Sequence, residues 1–213
     1  MLNDIEQHRL VKTLLIIFAV EWLLLAISPH YRSDWALENV LVVIYFPVMI
    51  ALRKRVTFSN LSYLLMFIFL FLHVIGSHYT YAEVPYDQWF KTMTGNTLNG
   101  LIGFERNHFD RLVHFLYGVL FYIPFREIVV QRTRLEGFWS YFLPYTFIVS
   151  TTVLYEQIEW AAAEIFGGEL GMAYLGTQGD VWDGHKDMGL ASLGAFIILW
   201  WCVRHDRAAS NKL

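Results

Sequence analysis

Charge is what this chain of 213 residues has least of: Asp, Glu, Lys and Arg make up 16% of it, where a soluble domain usually carries about a quarter. Cysteine occurs once, at Cys202, which excludes an internal disulfide framework and a cysteine-only zinc site. There is no excess of positive charge: the formal net charge is -3 and the pI about 6.2, against the basic face a nucleic-acid binder would show. Low-complexity linkers and internal repeats are missing, as are the alternating strands of a membrane barrel.

What fills the chain instead is apolar. Hydrophobic residues reach 56% and the mean hydropathy is +0.39. They are gathered in blocks long enough to cross a hydrocarbon core, which takes roughly 20 residues of helix. Six blocks qualify, at about 10–28, 35–52, 61–79, 109–128, 138–160 and 188–203. Backbone groups in lipid must be satisfied within the segment, so the expected fold is an all-α, polytopic bundle of six transmembrane helices in one domain. The first block has Arg9 and Lys12 ahead of it and Ala26-Ile27-Ser28 at its end, like a signal peptide. Pro29 and the interruption by Glu21-Trp22 argue for a retained span.

Basic residues fix the expected orientation. With both termini cytoplasmic, the inner flanks hold Arg9, Lys12, Arg53, Lys54, Arg55, Arg126, Arg132, Arg134, Arg204, Arg207 and Lys212, eleven of the sixteen. Arg32, Lys91, Arg106, Arg111 and Lys186 fall outside. Trp35, Trp89, Trp160 and Trp182 near the outer boundary and Trp139, Trp200 and Trp201 near the inner one form the two interfacial belts.

Acids and histidines are distributed the other way. Asp34, Glu38, Glu83, Asp87, Glu105, Asp110, Glu156, Glu159, Glu164, Glu169, Asp180, Asp183 and Asp187 all fall at the outer face. So do His30, His73, His78, His108, His114 and His185. Five bases against thirteen acids leave that face at a formal -8, a field that draws cations. Spacing sharpens the pattern. Asp110 and His114 are i,i+4, Glu156 and Glu159 i,i+3, and Asp183 and Asp187 i,i+4, so each pair shares one helical face. Imidazole and carboxylate pairs meeting inside a bundle are how helical metal sites are built. Nitrogen and oxygen ligands suit zinc, iron or manganese better than magnesium. The expected ligands are His114, Glu156, Glu159, Asp180, Asp183 and Asp187. A metal-free polar network, or a set of unrelated rim charges, is the alternative. Glu21 stands apart near the middle of its block, with Arg111 or a histidine as its expected partner.

The blocks His108-Phe109-Asp110-Arg111-Leu112-Val113-His114, Arg126-Glu127, Tyr155-Glu156-Gln157-Ile158-Glu159-Trp160, Leu175-Gly176-Thr177-Gln178-Gly179-Asp180-Val181-Trp182-Asp183 and Asp187-Met188 resemble those of the YjdF-like bacterial inner-membrane proteins. The likeness runs from about residue 60 onward and is strongest over 108–188. It implies a bacterial inner membrane as the setting, together with the topology and the choice of residues, and specifies no reaction. Family members often carry glutamine at the position of His185, which leaves His114, Glu156, Glu159, Asp180, Asp183 and Asp187 as the core set.

The expected activity is that of a divalent-metal-dependent hydrolase. A bound cation lowers the pKa of a water and makes it a nucleophile. Asp110 or Glu159 serves as general base, and Arg111 and Gln178 hold a developing anion. The substrate is a lipid or other amphipathic molecule entering from the bilayer. No G-x-S-x-G motif supports a serine hydrolase. Two alternatives belong to other classes. A transporter or cation-binding protein needs a polar path through the membrane, for which only Glu21 and His73 lie deep. A non-catalytic scaffold would work through the outer loops, 80–108 and 161–187.

Overall fold

The computed structural model of the chain describes residues 2–168, 171 and 175–210. Glu169 and Lys212, counted above among the outer acids and inner bases, lie outside the described residues. Eight helices and no strand are present among the described residues: α1 (Leu2–Leu25), α2 (Arg32–Leu52), α3 (Asn60–Tyr79), α4 (Tyr86–Thr94), α5 (Leu98–Ile102), α6 (Phe109–Thr133), α7 (Gly137–Phe166) and α8 (Asp183–Ser210).

All six apolar blocks fall in helices. Four of these, α2, α3, α6 and α8, are long and apolar enough to cross a membrane by length and composition. α1 and α7 have the length, at 24 and 30 residues. α1, however, carries Arg9, Lys12 and Glu21, and α7 is rich in Ser, Thr, Tyr and Glu, which lowers its hydropathy. α1 ends at Leu25, ahead of the expected 28, because Pro29 biases the residue before it away from helix. Glu21 is therefore one turn from the end of the helix. Neither of its carboxylate oxygens has a hydrogen-bond partner, and Arg111 is engaged elsewhere. The 80–108 connection forms the short α4 and α5, which the hydropathy pattern did not mark.

α3 is flanked by α1 and α2 and packs on α6; α6 packs in turn on α7 and, most extensively, on α8. That last interface is made of small residues. A Cβ on Gly118 would collide with the Ala191 carbonyl, and one on Gly194 with the Phe115 carbonyl. Ala191 and Ala195 are fully buried beside them. Helices in lipid gain no hydrophobic drive from meeting, so close backbone approach and dispersion hold them together. Pro47, Pro124 and Pro144 sit inside α2, α6 and α7. Near Pro144, where the ladder loses an N–H, the Tyr122 hydroxyl donates to the Tyr141 carbonyl at 2.8 Å.

Candidate metal centre and its clasp

Two i,i+4 ladders face each other across the α6–α8 contact. Asp110, His114 and Gly118 climb one helix; Asp183, Asp187 and Ala191 climb the other. Because the backbones touch at Gly118 and Ala191, the side chains one turn nearer the helix starts are brought together. One ligand atom each from Asp110, His114 and Asp187 lies within 4.8 Å of the others. Glu156 of α7 joins them, its Oε1 at 3.5 Å from His114 Nε2, the same distance as Asp110 Oδ1. Room for Glu156 comes from Gly184: a Cβ there would stand 2.6 Å from Glu156 Oε2. Glu159, one turn further along α7, is within electrostatic reach of Glu156, Asp110, Glu38 and Asp187.

The carboxylates are buried or half-buried and short of donors. Asp187 is 2% exposed, and its Oδ1 and Glu156 Oε1 lack hydrogen-bond partners. A buried anionic oxygen without a partner is costly. Those gathered here offer three oxygen donors and one imidazole to a cation, a mixed set of the kind that zinc, iron and manganese accept.

Asp180 and Asp183 are used differently. Arg106 grips Asp183 with both terminal nitrogens, at 2.9 and 3.1 Å, and donates to the Thr177 carbonyl at 2.9 Å. Arg111 bridges Asp183 at 2.8 Å and Asp180 at 2.5 Å, and Lys186 reaches Asp180 at 2.5 Å. The two aspartates thus close an ion-pair clasp beside the His114 cluster. Hydrogen bonds from Lys186 and the Trp182 N–H hold the Asp180 carboxyl well below the usual carboxylate range. Burial, then the Arg111 and Arg106 guanidiniums, holds the His108 imidazole below its ordinary value.

The G-T-Q-G-D-x-W-D block now has a local explanation. Gln178 and Gly179 both have positive φ, 47° and 86°, in a tight turn that the Asp180 N–H closes onto the Thr177 carbonyl. Gln178 is fixed there by a reciprocal pair: its Oε1 accepts from the Asn107 N–H and its amide donates to the Asn107 carbonyl, each at 3.1 Å. Asp180 Oδ1 accepts from Trp182 N–H at the start of α8. Across the turn, Asn107 Oδ1 accepts from Phe109 N–H, the first residue of α6, while Asn99 ties α5 to the Arg106 carbonyl and to the Tyr86 hydroxyl.

A cavity of about 380 Å³ opens from the cluster between α2, α6 and α7, with α3 behind it. Asp110, His114, Glu38 and Tyr155 line one end. Glu38 is 4% exposed and accepts from the Tyr155 hydroxyl at 3.2 Å. His73 is buried in the wall. Its Nε2 faces the Glu38 carbonyl at 3.2 Å, so Nε2 donates and Nδ1 accepts from the Tyr81 hydroxyl. Tyr81 has a positive φ of 51° and lies flat over Gly76, where a Cβ would meet its ring at 2.6 Å.

The structure therefore brings together Asp110, His114, Glu156 and Asp187, with Glu159 beside them. It sets Asp180, Asp183, Arg111 and Gln178 into the adjoining clasp. His185 is exposed and turned edge-on to Trp182. Arg106, Lys186, Asn107 and Glu38 were not singled out from the sequence. Of these only Glu38 left a signal, its i,i+4 spacing from Asp34, another buried carboxylate.

A family model described as "Predicted membrane protein (DUF2238)" matches residues 10–208. The chain is also 32% identical over 196 residues to "Inner membrane protein YjdF" of Escherichia coli (strain K12), covering 92% of this chain and 87% of that one. No solved structure matches. The helical bundle and the sequence match agree, and the chain belongs to the DUF2238 family of predicted membrane proteins.

Proposed function

We propose that this membrane protein is a divalent-metal-dependent, hydrolase-type enzyme working at the outer face of the inner membrane on a lipid or amphipathic substrate. The observation that carries the reading is the convergence of Asp110, His114 and Asp187 within 4.8 Å, with an orphaned oxygen on buried Asp187. A divalent cation of the zinc, iron or manganese type satisfies those oxygens and supplies an activated water. Six spans with both termini cytoplasmic put this end of the bundle outside; the excess of Lys and Arg on the opposite flanks supports that orientation.

Roles follow from the partners each group has. Asp110, His114, Asp187 and Glu156 hold the cation. Glu159, next along α7, takes the proton as general base. Arg111 spends its terminal nitrogen on the clasp but keeps a buried Nε–H without a partner, which can steady a developing anion. Gln178 and Asp180 and Asp183 position Arg111.

Elemental analysis of detergent-purified protein tests this directly. Wild type should hold a divalent metal, His114→Ala and Asp187→Asn should lose it, and Asp180→Asn should keep it. A metal-free wild type whose thermal stability is indifferent to His114→Ala would end the reading.

A further inference from the structure

The cavity beside the metal centre has a shape that specifies more than "amphipathic". Along α2 its wall runs from Leu37 to Val48, and along α6 from Asp110 to Phe121. At 1.5 Å per residue both stretches span about 16 Å, parallel to the helices. Polar groups gather at one end, around Glu38, Asp110 and His114, and the far end is Tyr45, Val48 and Phe121. Two of the lining hydroxyls are occupied, Tyr117 with Thr151 at 2.6 Å and Tyr45 with the Met66 sulfur, while buried Thr152 Oγ1 has no partner. Among the described residues no Lys or Arg lines the cavity. Its side is open: Val40, Ile44 and Val48 of α2 and Ile158 of α7 are 47–59% exposed. At about 380 Å³ it lies near the lower end of the range for ligand pockets, roughly 300–1,000 Å³.

We propose that this slot takes one hydrocarbon chain of the substrate, aligned with the bilayer normal, and presents the polar group joined to that chain to Asp110 and His114. The inference rests on the hydrolase-type reading above and adds the substrate class, an amphiphile selected by the length of a single tail. The chain enters sideways between α2 and α7, so its apolar surface never crosses water. Tyr45 and Phe121, half-buried at the far end, act as the stop that measures it.

The test uses lysophosphatidylcholines carrying a photoactivatable group at the chain end, in chains of increasing length, with the full-length protein in detergent. Cross-links are mapped by mass spectrometry and metal content is measured on the same samples. Unlabelled lysolipid should compete about equally well up to a limiting length, because its tail leaves detergent rather than water, and more weakly beyond it. Cross-links should fall on the peptides holding Tyr45 and Phe121. Val48→Trp should move the limit to shorter chains, and Ile44→Trp, one turn nearer the metal, further still, both with metal retained. Labelling spread over every lipid-facing helix and unchanged by both tryptophans, in protein that holds its metal, would overturn the slot and leave the metal reading standing. Length-limited labelling in protein without metal would keep the slot and overturn the hydrolase reading.

Discussion

Gly118 of α6 lies against the Ala191 carbonyl of α8 with no room for a side chain between them. One turn toward the helix starts, His114 and Asp187 meet. The contact that holds the two helices also sets the distance between two candidate ligands, so packing and chemistry here share one determinant.

Gly118→Ala should therefore act on both. A methyl forced into a backbone contact costs about 1–3 kcal/mol, and the separation it causes pulls His114 from Asp187. The expected result is a lower melting temperature together with a loss of bound metal. Gly189→Ala, on the same helix as Ala191 but with nothing within 4 Å of its Cβ, is the control and should leave both unchanged or slightly improved.

Metal removal should destabilise wild type more than the ligand variants. A cation that binds the folded state alone adds stability by mass action, roughly 2.7 kcal/mol at a hundredfold excess over its Kd. Chelation should lower the wild-type melting temperature and leave Asp187→Asn where it was. An equal fall in both proteins would place the metal elsewhere.

The clasp should be intolerant of losing Arg106. Asp183 is 3% exposed, and breaking a buried pair by removing one partner costs about 3–5 kcal/mol. Arg111 still bonds Asp183, so Arg106→Ala should fall at the lower end of that range. Arg106→Ala with Asp183→Asn should recover part of the loss, as measured by thermal melts of all three proteins.

Acid should weaken the clasp at Asp180. The Asp180 pKa is lowered in the folded protein, so the folded state holds fewer protons than the unfolded one as pH passes through the carboxylate range. Stability from Asp180 is thus complete above the unfolded value, about 3.9 for Asp, and is lost as pH falls toward the lowered one. Melting temperature followed downward in pH should show an acid limb that shrinks in Asp180→Asn. Lys186→Met should shrink it too, because Lys186 contributes most to that lowering.

Composition and periodicity alone determined that this chain is a bundle of long helices, and all six apolar blocks lie in them. The i,i+3 and i,i+4 pairs were equally legible, because both members of a pair sit on one helix and the helical repeat fixes their common face. The ion-pair partners were not. Arg106 and Asp183 are 77 residues apart, and no local rule couples them. Nor could spacing divide the acids between two tasks. Asp183 and Asp187 look equivalent in the sequence, yet one turn of α8 turns the first toward two arginines and the second toward His114. That division depends on how closely α6 and α8 approach, and it took the tertiary contact of Gly118 with Ala191 to decide it.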